Sequence, residues 1–117
     1  MANAPAANSL TFRIERKGES ALVHCRGHLV AGVCGGFYDK IRALIPEHKR
    51  IVLELTELVR VDSMGLGTLV RLYVSAKSAG SRIELINLGK QVRELLGLTN
   101  LLSLFGTMGE QGISIGF

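Results

Sequence analysis

Tryptophan is absent from this chain and aromatic residues make up only 5% of it, which excludes a core built on stacked rings. No apolar run approaches the ~20 residues that a membrane-spanning helix needs, so no membrane insertion is expected. Residues 1–8 are rich in Ala and Asn and lack the charged-then-apolar order of a signal peptide. They read as a disordered leader, and the expected location is cytoplasmic. The two cysteines, Cys25 and Cys34, are too few for a disulfide framework. With His24 and His28 they raise the question of zinc, whose preferred ligands are thiolate and imidazole. Adjacent residues of a strand point to opposite faces, however, so His24 and Cys25 cannot serve one metal. A basic block is missing as well. The formal net charge is +4, but acids are interspersed with the bases, as in Glu47-His48-Lys49-Arg50. Without a basic stretch interleaved with aromatics, direct DNA binding is not expected. A mildly basic surface suits an acidic protein partner.

What is present is aliphatic core material. The 117 residues are 47% hydrophobic, enough for one self-sufficient domain, which we place at residues 9–117. Leu10, Phe12 and Ile14 alternate with polar residues. After the turn Lys17-Gly18-Glu19-Ser20, so do Ala21, Val23 and Cys25, giving an antiparallel hairpin. Gly27, Gly32, Gly35 and Gly36 then indicate a loop. Phe37, Ile41, Leu44 and Ile45 recur at helical spacing until Pro46. Residues 51–56 form an inner strand, apolar on both faces. From Ser63 to about residue 79 the period is helical, with Leu66, Leu69, Val70, Tyr73 and Val74 as the apolar stripe and Gly80 as the stop. Residues 82–87 alternate again. Residues 90–96 make a short helix stopped by Gly97, and Leu101, Leu102, Leu104 and Phe105 suggest a last short strand. The order ββαβαβα(β) predicts an α/β fold with a mixed sheet and parallel crossovers.

The stretch Arg60-Val61-Asp62-Ser63-Met64-Gly65-Leu66-Gly67 joins the inner strand to the second helix. Serine is a good N-cap, so Ser63 has a purely structural reading. Two features point beyond it. Gly65 and Gly67 lie in the first turn, where glycine costs up to ~1 kcal/mol relative to alanine. Close approach of another backbone or of a bulky group would explain them. The segment also sits at the carboxyl end of an inner strand, where open α/β sheets bind their ligands. A phosphate on Ser63 would meet the positive end of the helix dipole. Catalytic patterns fail here. Ser63 is not in Gly-x-Ser-x-Gly, because position 61 is valine. There is no phosphate loop, and the nearest histidine in sequence, His48, falls at the far end of the strand. We expect a non-enzymatic protein that binds no cofactor or metal of its own.

The run Ile51-Val52-Leu53-Glu54-Leu55-Thr56-Glu57-Leu58, followed by Val61-Asp62-Ser63-Met64-Gly65-Leu66-Gly67 and by Gly80 before a strand, resembles the STAS domain family. More closely it resembles the bacterial anti-sigma factor antagonists, from about Leu10 to Phe105. Gly27 and Gly97-Leu98 agree with the pattern. The resemblance implies a STAS-like fold and a partner-switching role in transcription. The unphosphorylated antagonist would bind an anti-sigma factor that is also a serine kinase and so release a sigma factor. Phosphorylation of Ser63 would reverse binding, and a serine phosphatase would restore it. ATP and Mg²⁺ would belong to the kinase. The implied binding face comprises Asp62, Ser63, Met64, Gly65, Gly67 and an exposed Thr68, with Gly27 and His28 on the neighbouring 27–36 loop. Met64 stands where the family commonly has a small residue, and residues 109–117 do not resemble its usual C-terminal helix. The alternative implied by the fold is a non-phosphorylated STAS subunit of a membrane transport complex of the lipid-transport ABC type, or of a stress-signalling assembly.

Overall fold

Gly18, at φ +60°, closes the first hairpin in the left-handed conformation that glycine adopts at no steric cost. The computed structural model describes residues 10–98. Its elements are β1 (Leu10–Lys17), β2 (Ser20–Leu29), α1 (Cys34–Leu44) with a 3₁₀ turn (Ile45–Glu47), β3 (Arg50–Val61), α2 (Ser63–Ser78), β4 (Arg82–Ile86) and α3 (Lys90–Leu98). This is the predicted α/β order through its third helix. The leader 1–8, the strand expected at 101–105 and the tail lie outside the described residues.

The four strands form one mixed sheet in the order β1-β2-β3-β4. β1 runs antiparallel to β2, whereas β2–β3 and β3–β4 are parallel. The register aligns Ala21, Ile51 and Ile83 in one row, and Val23, Leu53 and Leu85 in the next. These rows join Phe37, Ile41 and Leu44 of α1 and Leu69, Leu72 and Ala76 of α2 in one buried cluster. Each fully buried Leu or Ile contributes roughly 1.5–3 kcal/mol, so an aliphatic interior suffices without tryptophan. One aromatic pair supports it, Phe12 and Phe37, edge to face at 5.5 Å. On the other face the buried Glu84 carboxylate is held by Arg50 Nε at 2.7 Å and by Arg82 at 3.0 Å.

Four boundaries differ from the sequence reading. β3 extends to Val61 instead of ending near Thr56. Its partner register moves from His24↔Glu54 to Arg26↔Glu57 and from Gly27↔Leu58 to His28↔Arg60, so two bulges each place an extra residue in β3. Bulges of this kind break a period of two. The inward residues become Leu55, Leu58 and Val61, spaced by three. Gly35 and Gly36 lie in the first turn of α1, not in a loop, and Gly27 belongs to β2 at a bulge, with φ +109°. Gly97 lies inside α3 and does not stop it. The buried stripe of α2 is Gly65, Thr68, Leu69, Leu72 and Ala76, while Val74 is 54% exposed. Small residues line it because the helix start packs closely on β2, a choice that an apolar-periodicity reading passes over.

Candidate functional site

β2 and β3 reach the same end of the sheet, where Leu29 is opposite Val61. The chain leaves β3 through Asp62, whose extended backbone (φ −97°, ψ −173°) begins α2. Its Oδ1 accepts the Gly65 amide at 2.8 Å, and its Oδ2 accepts the Ala31 amide at 2.9 Å. Its own N–H donates to the Leu29 carbonyl at 3.3 Å. One carboxylate thus fastens the start of α2 to the loop after β2. The Ala31 and Gly65 amides, with help from the Met64 amide and the Arg60 cation, hold the Asp62 carboxyl below its ordinary range against a partial desolvation that opposes them.

This corrects the capping assignment. The N-cap is Asp62, and Ser63 is the first helical residue. A carboxylate offers two oxygens, one turned to each amide, where a hydroxyl offers a single oxygen. Ser63 is exposed, and its hydroxyl makes no hydrogen bond to a described residue. Met64 follows, 58% exposed. Gly65 answers to the close approach anticipated for it: a Cβ there would lie 2.1 Å from the Leu29 carbonyl oxygen. Gly67 differs, since a Cβ would meet nothing within 4 Å. Thr68 is not exposed as expected. It is 3% exposed, and its Oγ1 donates to the Met64 carbonyl at 2.8 Å, where the close packing of α2 turns it inward.

Gly27 and His28 are half-buried at the same end of the sheet, with His28 opposite Arg60. His48 lies at the other end, buried, its Nδ1–H donating to the Leu44 carbonyl at 2.9 Å. His24 reaches Glu15 and Glu54, while Cys25 points into the core, where burial first and the Glu54 charge second push its thiol up to about 12. Among the described residues no three His, Cys, Asp or Glu side chains converge as a metal site would need. No helix among them is long and apolar enough to cross a membrane. Sequence reasoning missed the Leu29 carbonyl and the Ala31 amide. Both are backbone groups, whose roles no residue identity signals.

The four-stranded mixed sheet and three helices of the described residues have the α/β fold of STAS domains. The chain belongs to the STAS domain family: residues 12–106 match the family described as Mlab, STAS domain. It is 27% identical over 88 residues to a STAS-domain containing protein of Pseudomonas aeruginosa (strain UCBPP-PA14), covering 75% of this chain and 87% of that one. Among solved structures it resembles the anti-sigma factor antagonist SpoIIAA in its unphosphorylated form, with a TM-score of 0.71, 19% identity and coverage of 90% of this chain and 100% of that one. It also resembles an anti-sigma factor antagonist from Mycobacterium paratuberculosis, with a TM-score of 0.76, 20% identity and coverage of 87% of each chain.

Proposed function

We propose that this STAS domain is an anti-sigma factor antagonist, switched by phosphorylation of Ser63, that works in the cytoplasm. The observation that carries the reading is the setting of Ser63. Its hydroxyl is exposed and uncommitted among the described residues, while Asp62 does the capping. A modifying enzyme can take this hydroxyl without dismantling a structural contact. The unmodified surface binds an anti-sigma factor that is also a serine kinase, and the sigma factor is released. The kinase supplies ATP and Mg²⁺ and transfers the phosphoryl group to Ser63, and a serine phosphatase resets the domain. Solved relatives include SpoIIAA in both its unphosphorylated and its phosphorylated form, which suits a fold that tolerates the modification.

The phosphate adds about −1.5 to −2 charges and three acceptor oxygens. On this domain the start of α2 stabilises an exposed anion by roughly 0.3–1 kcal/mol, so melting changes little. The partner meets a bulky anion beside Asp62, which is already negative. Exclusion of one or two central contacts costs ~2–4 kcal/mol, or about 30-fold or more in affinity. The test has two parts. Incubation with ATP, Mg²⁺ and the candidate anti-sigma kinase should label the Ser63 peptide, read by mass spectrometry. Calorimetry should then show phosphorylated protein binding at least about 30-fold more weakly. Equal affinities would overturn the switch.

A second reading, a constitutive STAS subunit of a membrane transport complex, is favoured by Met64. An exposed apolar side chain beside Ser63 suits a permanent contact. In that case the kinase leaves Ser63 unlabelled, and Met64→Ser weakens binding to a transport ATPase by more than about tenfold.

A further inference from the structure

β1 lies at one edge of the sheet, next to β2 alone. Its other long side meets no described strand, and β2 separates it from β3, which leads into the Ser63 junction. A free edge offers a row of unpaired backbone groups to any strand that can align with it. Folds commonly blunt such edges with proline, a bulge or shortness. β1 has none of these: its eight residues pair with β2 in unbroken register. Its inward residues Leu10, Phe12 and Ile14 are only half-buried against the core.

The turn decides which backbone groups this edge presents. Gly18 and Glu19 close the hairpin between Lys17 and Ser20, with Gly18 at φ +60°. A two-residue turn makes its flanking pair a hydrogen-bonded one, and bonded pairs then alternate along an antiparallel ladder. Thr11, Arg13, Glu15 and Lys17 therefore turn their N–H and C=O toward β2, and Leu10, Phe12, Ile14 and Arg16 turn theirs outward. An antiparallel second β1 matches outward groups with outward groups when Ile14 faces Ile14 and Phe12 faces Arg16. Arg13 then lies opposite Glu15 on both sides of the two-fold axis, in non-bonded pairs, where side chains come closest. Sliding by two residues, the smallest step that keeps the backbone match, sets Arg13 against Arg13 or Glu15 against Glu15, which is repulsive. Charge thus selects both the occupant and its register. Within one chain Glu15 Oε2 lies 3.2 Å from Arg13 Nη2 and 3.1 Å from His24 Nε2, with the Arg13 and Glu15 side chains exposed. Exposed pairs of this kind are worth little and exchange readily. The remaining cations of β1, Arg16 and Lys17, fall at its outer end. In this register the two Arg16 residues are about 14 Å apart along the strands at ~3.4 Å per residue, beyond a screening length of about 8 Å.

We infer that the free edge of β1 is an interface for a second copy of this chain, which continues the sheet across a two-fold axis at Ile14. Arg13 and Glu15 of each copy pair with Glu15 and Arg13 of the other. Phe12, Ile14 and Arg16 supply the backbone bonds, and the two Ile14 side chains cover each other. The interface is the same patch on both copies, so assembly stops at two. A single strand edge is small, and each copy carries a formal charge of +4. The dissociation constant should therefore fall at about 10–100 µM.

The experiment is sedimentation velocity of the full chain between about 5 µM and about 1 mM, with amide exchange followed at both ends of that range. The expected result is a monomer that becomes a dimer as concentration rises. The amides of Phe12, Ile14 and Arg16 should exchange more slowly in the dimer, while those of Arg13 and Glu15, which face β2, should not change. Arg13→Glu and Glu15→Arg should each weaken self-association by about tenfold or more, with unchanged far-UV circular dichroism. Mixed in equal amounts, the two single variants should associate again, because every pair across the axis then joins an acid to a base. The double variant Arg13→Glu/Glu15→Arg should dimerise like the native chain. Three results overturn the inference: a monomer throughout the range, a dimer that both single variants leave intact, or single variants that stay apart when mixed. Slow exchange of the Phe12, Ile14 and Arg16 amides already in the dilute monomer would also overturn it, and would mean that another part of the same chain covers the edge.

Discussion

Ser63 and Asp62 are adjacent, yet substitution should separate them cleanly. Ser63→Ala removes a hydroxyl without a described partner, so stability should stay within about 0.5 kcal/mol in urea denaturation. Asp62→Ala frees the Ala31 and Gly65 amides together and should lower the midpoint clearly. The pH dependence has a fixed sign. The folded state holds the Asp62 carboxyl below its ordinary 3.8. The advantage of the native protein over Asp62→Ala is therefore present above that value and is lost as pH falls through the lower folded one. Matched urea titrations between acidic and neutral pH would show the two curves converging at the acid end. The two glycines should diverge as well. Gly65→Ala drives a methyl into the Leu29 carbonyl, which should cost about 1–3 kcal/mol. Gly67→Ala enters open space on a helix and should stabilise by up to ~1 kcal/mol. If Gly67 lies under the partner, the same alanine weakens calorimetric affinity while raising the melting temperature. An alanine that leaves affinity unchanged would remove Gly67 from the face.

Among the elements, β3 carries the most testable phase. Leu58 is 4% exposed and Val59 is 60% exposed, because two bulges shift the strand. Leu58→Ala should cost about 2–5 kcal/mol, whereas Val59→Ala should stay within about 0.5 kcal/mol in the same denaturation assay. The reverse ranking would mean that the bulges are misplaced. The limits of the sequence reading lie in the same strand. Alternation in residues 10–14 and 21–25 gave the hairpin, and Ile51, Leu53 and Leu55 gave the inward face. After Leu55 the bulges change the spacing, so the end of β3 is invisible to any period-two template. The α2 helix was legible as a helix but not in its rotation, since Gly65, Thr68 and Ala76 carry little apolar signal yet form its buried stripe. The site was legible as a place, the strand-to-helix junction at Asp62 and Ser63. Its division of labour was not, because the Ala31 amide and the Leu29 carbonyl that help decide it lie far upstream, in the loop after β2 and at the end of β2.

At the scale of the molecule, the two ends of the sheet are used differently. Around His48 the chain closes on itself: Ser81 Oγ donates to the His48 carbonyl at 2.8 Å, the Lys49 amide to Glu19, and the Arg82 amide to Lys49. At the opposite end Ser63 and Met64 are left open. On the proposed switch, one phosphate takes the formal charge of +4 to about +2. Isoelectric focusing should resolve the two forms, and Ser63→Ala should collapse them into one band after treatment with the kinase. The carboxylate of Asp62 has a further consequence, in the rhythm of opening. Because it holds an amide from the loop and an amide from the helix at once, neither segment can fray alone without abandoning the other's anchor. We expect them to open as one cooperative unit. The protons on Ala31 and Gly65, far apart in the chain, should therefore exchange with deuterium in step, and both should quicken together when Asp62 is replaced.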